Sequence, residues 1–352
     1  MFYENDFRAC RLVFAWTAGT GSVILFLDRE DGCPVNIKKR AALALAAAAP
    51  GAMALGVSEY FLRAAVDRQQ PKSLQLLLQA MQGLKKGDDP YAGLEAGWER
   101  LRNLPHERVA LTAPDGVRLV GHFFEVPGAK RALVAVHGWR SRWFRDFGAS
   151  FDFYRAQGCS VLYIEQRGQG ESGGGFIGFG LTERLDLPLW AAWISARCGA
   201  ETPLYLAGIS MGAATVLMGA DLEYPETLRG LMSDCGYTSV EGIWSHVAEN
   251  LRLPYAPFRP FLRLLFRKRT GVAIDAVDAC EALRRCRLPV LLIHGGADAF
   301  VPPENAEAAC AACGERGRLL IVPGAGHGLS YLVDQSGYES ALLAFWRDCE
   351  TG

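Results

Sequence analysis

From about residue 105 onward the chain alternates two patterns, and this alternation restricts the fold more than any other feature. Short apolar runs rich in β-formers occur at 109–111, 118–124, 132–136, 161–164, 204–207, 228–232, 290–293 and 319–322. Between them lie segments of helical period at 144–156, 181–196, 213–222, 305–312 and 331–349. Strands that are apolar on both faces and separated by helices predict an α/β fold. Its sheet is mostly parallel and eight-stranded, with helices on both faces. The turn signal Ala113-Pro114-Asp115-Gly116 makes a hairpin of the first two strands. Residues 237–287 separate two strands without containing one, and a piece that long inside a compact domain reads as a helical lid.

Composition removes other classes. Of 352 residues, half are hydrophobic and 21% charged, which does not describe a disordered chain. Lys and Arg number 37 against 38 acidic residues, so no global basic face invites nucleic acid. Ten cysteines are too few for a disulfide-stapled miniature fold.

The first hundred residues differ from the rest. Residues 12–27 are uncharged, and a second apolar, alanine-rich run at 41–57 follows Lys38-Lys39-Arg40. That run is at the short end of what spans a bilayer, roughly 17–25 residues. With Ala52-Met53-Ala54 as small residues at its end, 41–66 is expected to be a signal anchor or a signal peptide. The positive cluster would stay inside the cell, giving a membrane-anchored, extracytoplasmic catalytic domain or a secreted one. A cytoplasmic protein is the alternative, with this run as a helix buried on the domain, and the ten cysteines favour it. Residues 1–40 form an N-terminal extension that a start near Val35 would remove, and 67–104 read as a helical linker to the domain at 105–352.

The chemistry concentrates after strands. Gly208-Ile209-Ser210-Met211-Gly212 follows the apolar run 204–207 and opens a helix. In G-x-S-x-G a sharp turn exposes the serine above the sheet, and the amide after it, here Met211, faces a developing oxyanion. A serine needs a base. His327, in Gly326-His327-Gly328, follows the last strand, and Asp298, just past the run 290–293, is the acid to orient it. The order Ser210, Asp298, His327 is the one this kind of sheet uses. Asp234, after the run 228–232, is the rival acid. His137-Gly138-Trp139 follows the third strand and offers the Trp139 amide as a second oxyanion donor, with His137 structural. Cys310 and Cys313 are spaced as C-x-x-C but lie late in a helix and lack a second pair, so they read as packed thiols.

Together these residues resemble the α/β-hydrolase superfamily over roughly residues 105–349, in its serine-aminopeptidase-like and cell-surface-hydrolase branches. The likeness includes Asp115-Gly116, Gly168-Gln169-Gly170-Glu171-Ser172 and Asp234-Cys235-Gly236-Tyr237-Thr238-Ser239. It departs at Glu165, where relatives commonly carry Asp, and the extra methylene puts in doubt any fixed hydrogen bond from that carboxylate but not Ser210, Asp298 and His327. The resemblance implies a serine hydrolase acting through an acyl-enzyme on small-molecule esters, without metal or organic cofactor. The alternatives are an aminopeptidase-like peptidase and a non-catalytic, membrane-attached binding protein. Between Arg252 and Arg269 the lid holds six basic and no acidic residues, interleaved with Tyr255, Phe258, Phe261 and Phe266. Two expectations follow. The lid aromatics select an apolar acyl group, and its arginines either pair with the domain's own carboxylates or meet an anionic membrane surface or an acidic acyl substrate.

Overall fold

The computed structural model describes residues 12–17, 22–27, 37–72 and 95–351, with backbone alone before residue 51. Two compact units divide at Ala54/Leu55. In the first, β1 (Leu12–Thr17) and β2 (Ser22–Leu27) form an antiparallel hairpin. Helix α1 (Ile37–Ala65) runs through the segment expected to direct the chain to a membrane. No helix among the described residues is long and apolar enough to cross one.

The second unit carries the sheet. Its strands are β3 (Glu107–Thr112), β4 (Arg118–Phe124), β5 (Arg131–Val136), β6 (Cys159–Glu165), β7 (Leu204–Ile209), β8 (Leu228–Asp234), β9 (Val290–Gly295) and β10 (Gly317–Val322). They lie in the order β10-β9-β8-β7-β5-β6-β4-β3. β4 pairs antiparallel with both β3 and β6, and every other pairing is parallel. All eight expected strands are present.

Alternation along each strand divides the core in two. Ala132, Val134 and Val136 pack on one face with Trp190, while Leu133 and Ala135 pack on the other with Trp346. The first face is covered by α5 (Leu187–Cys198), α6 (Met211–Met218), α9 (Ala279–Arg285) and α10 (Glu304–Cys313). The second is covered by α3 (Trp143–Asp146), α4 (Phe151–Ala156) and α12 (Gln335–Thr351). Helices on both faces are thus observed.

Three expected helices are interrupted for local reasons. The 144–156 segment splits into α3 and α4, with Gly148 packed so closely that a Cβ would meet the Phe144 carbonyl at 2.7 Å. The 181–196 segment opens as a 3-10 turn (Glu183–Asp186), and α5 starts only where Pro188 can take an early helical position. The last helix breaks at Asp334 between α11 (Ser330–Val333) and α12. Of the linker, 73–94 lies outside the described residues, and α2 (Glu95–Asn103) buries Leu101 fully against the domain.

The lid holds three helices, α7 (Val240–Asn250), α8 (Arg259–Thr270) and α9, joined by loops. Its aromatics turn inward: Trp244 meets Phe61, Phe179 and Phe266 at 5.3–5.5 Å between ring centroids. Three of its arginines are paired. Arg259 and Arg263 bond Glu241, Arg263 also bonds Asp275, and Arg269 bonds Glu59 and Asp67.

Candidate active site

Strand register brings the chemistry to one edge. Val136 aligns with Gly208, Ile209 with Asp234, and Gly295 with Val322, so these strands end together. The chain leaves β5 for β6 on one side and reaches β7 on the other, so the crevice between β5 and β7 is a topological switch point. Trp139 follows β5 and Ser210 follows β7.

Ser210 has φ 56° and ψ −118°, a left-handed conformation that costs a non-glycine residue about 1–3 kcal/mol. The flanking glycines permit it. A Cβ on Gly208 would stand 2.3 Å from the Gly212 carbonyl, and one on Gly212 would stand 2.0 Å from that of Val136. The Ser210 amide is held by the Asp234 carbonyl at 2.8 Å.

The hydroxyl so exposed lies 2.8 Å from His327 Nε2, and His327 Nδ1 lies 2.7 Å from Asp298 Oδ2. The other oxygen of Asp298 accepts the Phe300 and Val301 amides, both at 2.9 Å. Burial pushes this carboxyl upward, but bonds with His294 and His327 hold it far below the ordinary carboxylate range. An ionised Asp298 only accepts, so Nδ1 carries the His327 proton and Nε2 is left to accept from Ser210. His294, not singled out as a contributor by sequence, donates from Nε2 to the Val301 carbonyl at 2.8 Å and lies 3.4 Å from Asp298. The rival acid, Asp234, is turned to other partners. Its side chain accepts from Ser330 at 3.3 Å, and burial raises its pKa to about 6.

Met211 is the first residue of α6, where amides lack an intrahelical acceptor. Trp139 joins Ser210 and His327 in the wall of a cavity of about 300 Å³. Its loop is built by residues that sequence reasoning missed. Asp146 accepts the Gly138 amide at 2.7 Å and the Ser141 hydroxyl. Gln166 donates to the His137 carbonyl at 2.5 Å and accepts from Thr215 of α6 at 2.9 Å, tying three elements together. His137 is fully buried and accordingly structural.

Two expectations change here. None of residues 237–287 lines this cavity. Its apolar wall comes from Trp98, Tyr154, Ile209, Tyr331, Leu332 and Tyr338, and the lid aromatics lie outside it. Glu165 also keeps a fixed bond, because Oε2 accepts the Glu171 amide at 3.0 Å. The longer side chain reaches into space left open by Gly170, whose Cβ would collide with it.

Among the described residues, two groups have metal-ligand chemistry: Cys235 with Asp298 and His327, and His122 with Glu165 and Glu171. The first is committed to the hydrogen bonds above, and burial pushes the Cys235 thiol well up. The second is ringed by Arg108, bonded to Glu171, and Arg142, 3.7 Å from Glu165, which oppose a cation. Cys310 and Cys313 are free, with pKa values raised by burial, as packed thiols.

Comparison with known proteins agrees with this architecture. The chain is 29% identical over 231 residues to the uncharacterized protein Rv2307c of Mycobacterium tuberculosis, covering 64% of this chain and 74% of that one. It is 24% identical over 189 residues to the uncharacterized protein YqkD of Bacillus subtilis, covering 53% of this chain and only 62% of that relative's length. Among solved structures, the Pyrococcus furiosus esterase Pf2001 superposes with a TM-score of 0.57 at 20% identity, over 74% of this chain and 95% of that one. The esterase from Exiguobacterium antarcticum gives 0.50 at 17%, over 68% and 100%. Residues 133–337, more than half the chain, match the model of the Alpha/beta hydrolase family, and the chain belongs to that family of hydrolases.

Proposed function

We propose that the chain is a serine esterase that works through an acyl-enzyme. The observation that carries this is the unbroken line Ser210 Oγ, His327, Asp298, with heavy-atom distances of 2.8 and 2.7 Å. His327 takes the Ser210 proton as Oγ attacks the carbonyl, then returns it to the leaving alcohol. Asp298 orients the imidazole and stabilises its charged form. The Met211 and Trp139 amides receive the oxyanion. Water, activated by His327 in turn, releases the acid.

The cavity favours a compact acyl group. At about 300 Å³ with several aromatic walls, it suits an apolar chain of modest length. A peptidase that grips a substrate amine would want a free carboxylate beside Ser210. Glu165, Glu171 and Glu183 do not line the cavity, while Asp146 and Asp234, which do, already accept protein hydrogen bonds. The ester reading is therefore preferred. A fluorophosphonate probe should label the protein and fail on Ser210→Ala. A p-nitrophenyl ester chain-length panel should be turned over while aminoacyl nitroanilides are not. Equal labelling of Ser210→Ala, or no labelling of folded protein, would favour a non-catalytic binding protein instead.

A membrane-surface location also belongs to this proposal, supported by the exposed Met53, Leu55, Val57 and Tyr60 of α1. The paired lid arginines add nothing to it. Co-sedimentation with neutral and anionic liposomes tests it, and absence from both pellets would dismiss it.

A further inference from the structure

A second, smaller pocket of about 200 Å³ adjoins the catalytic cavity, and Arg140 and Ser141 wall both. Among the described residues, three guanidinium groups line it, from Arg68, Arg140 and Arg142, and no carboxylate does. Two of them are fixed by neutral carbonyls. Arg68 donates to Ser172 at 2.5 Å and Gly170 at 2.7 Å. Arg140 donates to Asp67 at 2.5 Å, Ala64 at 3.0 Å and Arg68 at 3.1 Å. These bonds aim the groups without neutralising them. Of the nearby acids, Asp67 pairs with Arg269 at 3.0 Å, while Glu165 accepts the Glu171 amide and also pairs with Arg142 at 3.7 Å, which leaves Arg68 and Arg140 as the guanidiniums held by neutral carbonyls.

Among the described residues, two buried donors on the side chains of this pocket lack acceptors, Nε of Arg140 and Nε2 of Gln169. Gln169 lines the pocket and is 5% exposed. Its Oε1 accepts the Arg140 amide at 2.6 Å, which fixes the orientation of the side-chain amide and leaves Nε2 as the spare donor. Buried donors are ordinarily satisfied, and an orphan marks a place where a missing acceptor belongs. Burial also disfavours the Arg140 charge, so an anion arriving there would relieve it.

We propose that this pocket is a subsite for an anionic group, carboxylate or phosphate, carried by the ester that Ser210 attacks. This rests on the serine-esterase reading and narrows it to esters bearing a negative charge. Forked guanidinium donors suit both oxyanions. Placed beside the loop that carries the Trp139 amide, they would hold the substrate's far end while the carbonyl meets Ser210.

The test uses the full chain and matched ester pairs. With the charge on the acyl side, p-nitrophenyl hydrogen glutarate is compared with p-nitrophenyl pentanoate. With it on the alcohol side, butyryl glycerol phosphate is compared with butyryl glycerol in a pH-stat. One anionic member should exceed its neutral partner in kcat/KM by about tenfold or more, the scale of one charge-assisted bond. That ratio should shrink as salt is raised and approach one in Arg142→Gln, a half-exposed position, and in Gln169→Leu. Parity or a neutral preference in both pairs would overturn the subsite, as would ratios unchanged in both variants. If no ester is hydrolysed, calorimetric titration of Ser210→Ala with methyl phosphate and with monomethyl glutarate separates the two readings. Binding lost in the added Arg142→Gln change keeps the anion site without the esterase. No binding at millimolar ligand removes the anion site.

Discussion

Replacing Asp298 by Asn tests the proposed chemistry at one atom. The Asn carbonyl can keep accepting the Phe300 and Val301 amides, both at 2.9 Å, so the loop holds its shape. Its NH₂ then occupies the place of Oδ2, 2.7 Å from His327 Nδ1. A donor now faces that nitrogen, so the favoured tautomer moves the proton to Nε2. There it points at the Ser210 hydroxyl 2.8 Å away, and the base is lost. The charge-assisted bond to the imidazolium contributes about 1.5–3 kcal/mol. Adding the inverted tautomer, the expected fall is about 10⁴ in kcat, or roughly 5.4 kcal/mol at about 1.36 kcal/mol per decade. Steady-state hydrolysis of p-nitrophenyl butyrate reads it, with thermal melting to verify folding. A loss below about tenfold would refute the role of Asp298. A larger loss in Asp234→Asn would transfer that role to Asp234.

Other perturbations address the frame. Gly212→Ala drives a methyl to 2.0 Å from the Val136 carbonyl, backbone that cannot yield. Its melting transition should drop by the equivalent of about 3 kcal/mol, the upper end for overpacking, and an unchanged melt would contradict the packing. Arg167→Met strips Asp186, which is buried, of its bidentate partner and Asp115 of its own; chemical denaturation should register a loss of about 3–5 kcal/mol. For Asp234 the sign is the reverse of the usual carboxylate. Burial lifts its pKa from 3.8 to about 6, so the folded state holds the proton more tightly than the unfolded chain. Its contribution is present at low pH and is lost as pH rises through that interval, by up to about 3 kcal/mol. Asp234→Asn should therefore gain stability over the parent between pH 4 and 6 and hold the gain above; a difference that does not vary with pH would exclude it.

The parts of the site legible in the sequence were those that a local pattern specifies. An apolar run followed by G-x-S-x-G fixes a strand, a strained turn and a helix start within a few residues, and His327 and Asp298 each follow a strand whose end the run itself marks. Parallel pairing aligns those ends, so the three side chains meet without further information. The lid lacked such a constraint. Its aromatics alternate with arginines in sequence, but which face they present depends on Phe61 and Phe179, far away in the chain. The supports of the oxyanion-side loop, Asp146, Gln166 and Gln169, were invisible for the same reason. Each acts through one tertiary contact, and a lone Asp or Gln carries no signature of it. The Glu165 bond was equally hidden, because it depends on the space that Gly170 leaves for the extra methylene of Glu.

The end of α1 bears on that same loop. A helix leaves its last carbonyls without intrahelical partners, and here the stretch around its C-terminus finds them in the two residues after Gly138. The Trp139 indole donates to the Ala65 carbonyl at 2.9 Å, and the Arg140 guanidinium reaches Ala64, Asp67 and Arg68. Arg140 has φ 51°, a left-handed strain of about 1–3 kcal/mol. Each of these four bonds is worth only about 0.5–1.5 kcal/mol net, so together they contribute about 2–6 kcal/mol, enough to offset that strain, and they hold the turn that places Trp139 beside Ser210. Leu62 and Val66, fully buried, anchor the donor side in the core. The segment read from sequence as membrane-directed thus ends as part of the scaffold of the candidate site. Cleavage after Ala54 would leave every one of these contacts in place, because the carbonyls involved begin at Ala64. A signal peptide ending there and an intact Trp139 loop are therefore structurally compatible, whereas loss of residues 64–68 would remove all four of these bonds and leave the loop its ties to Asp146, Gln166 and Gln169.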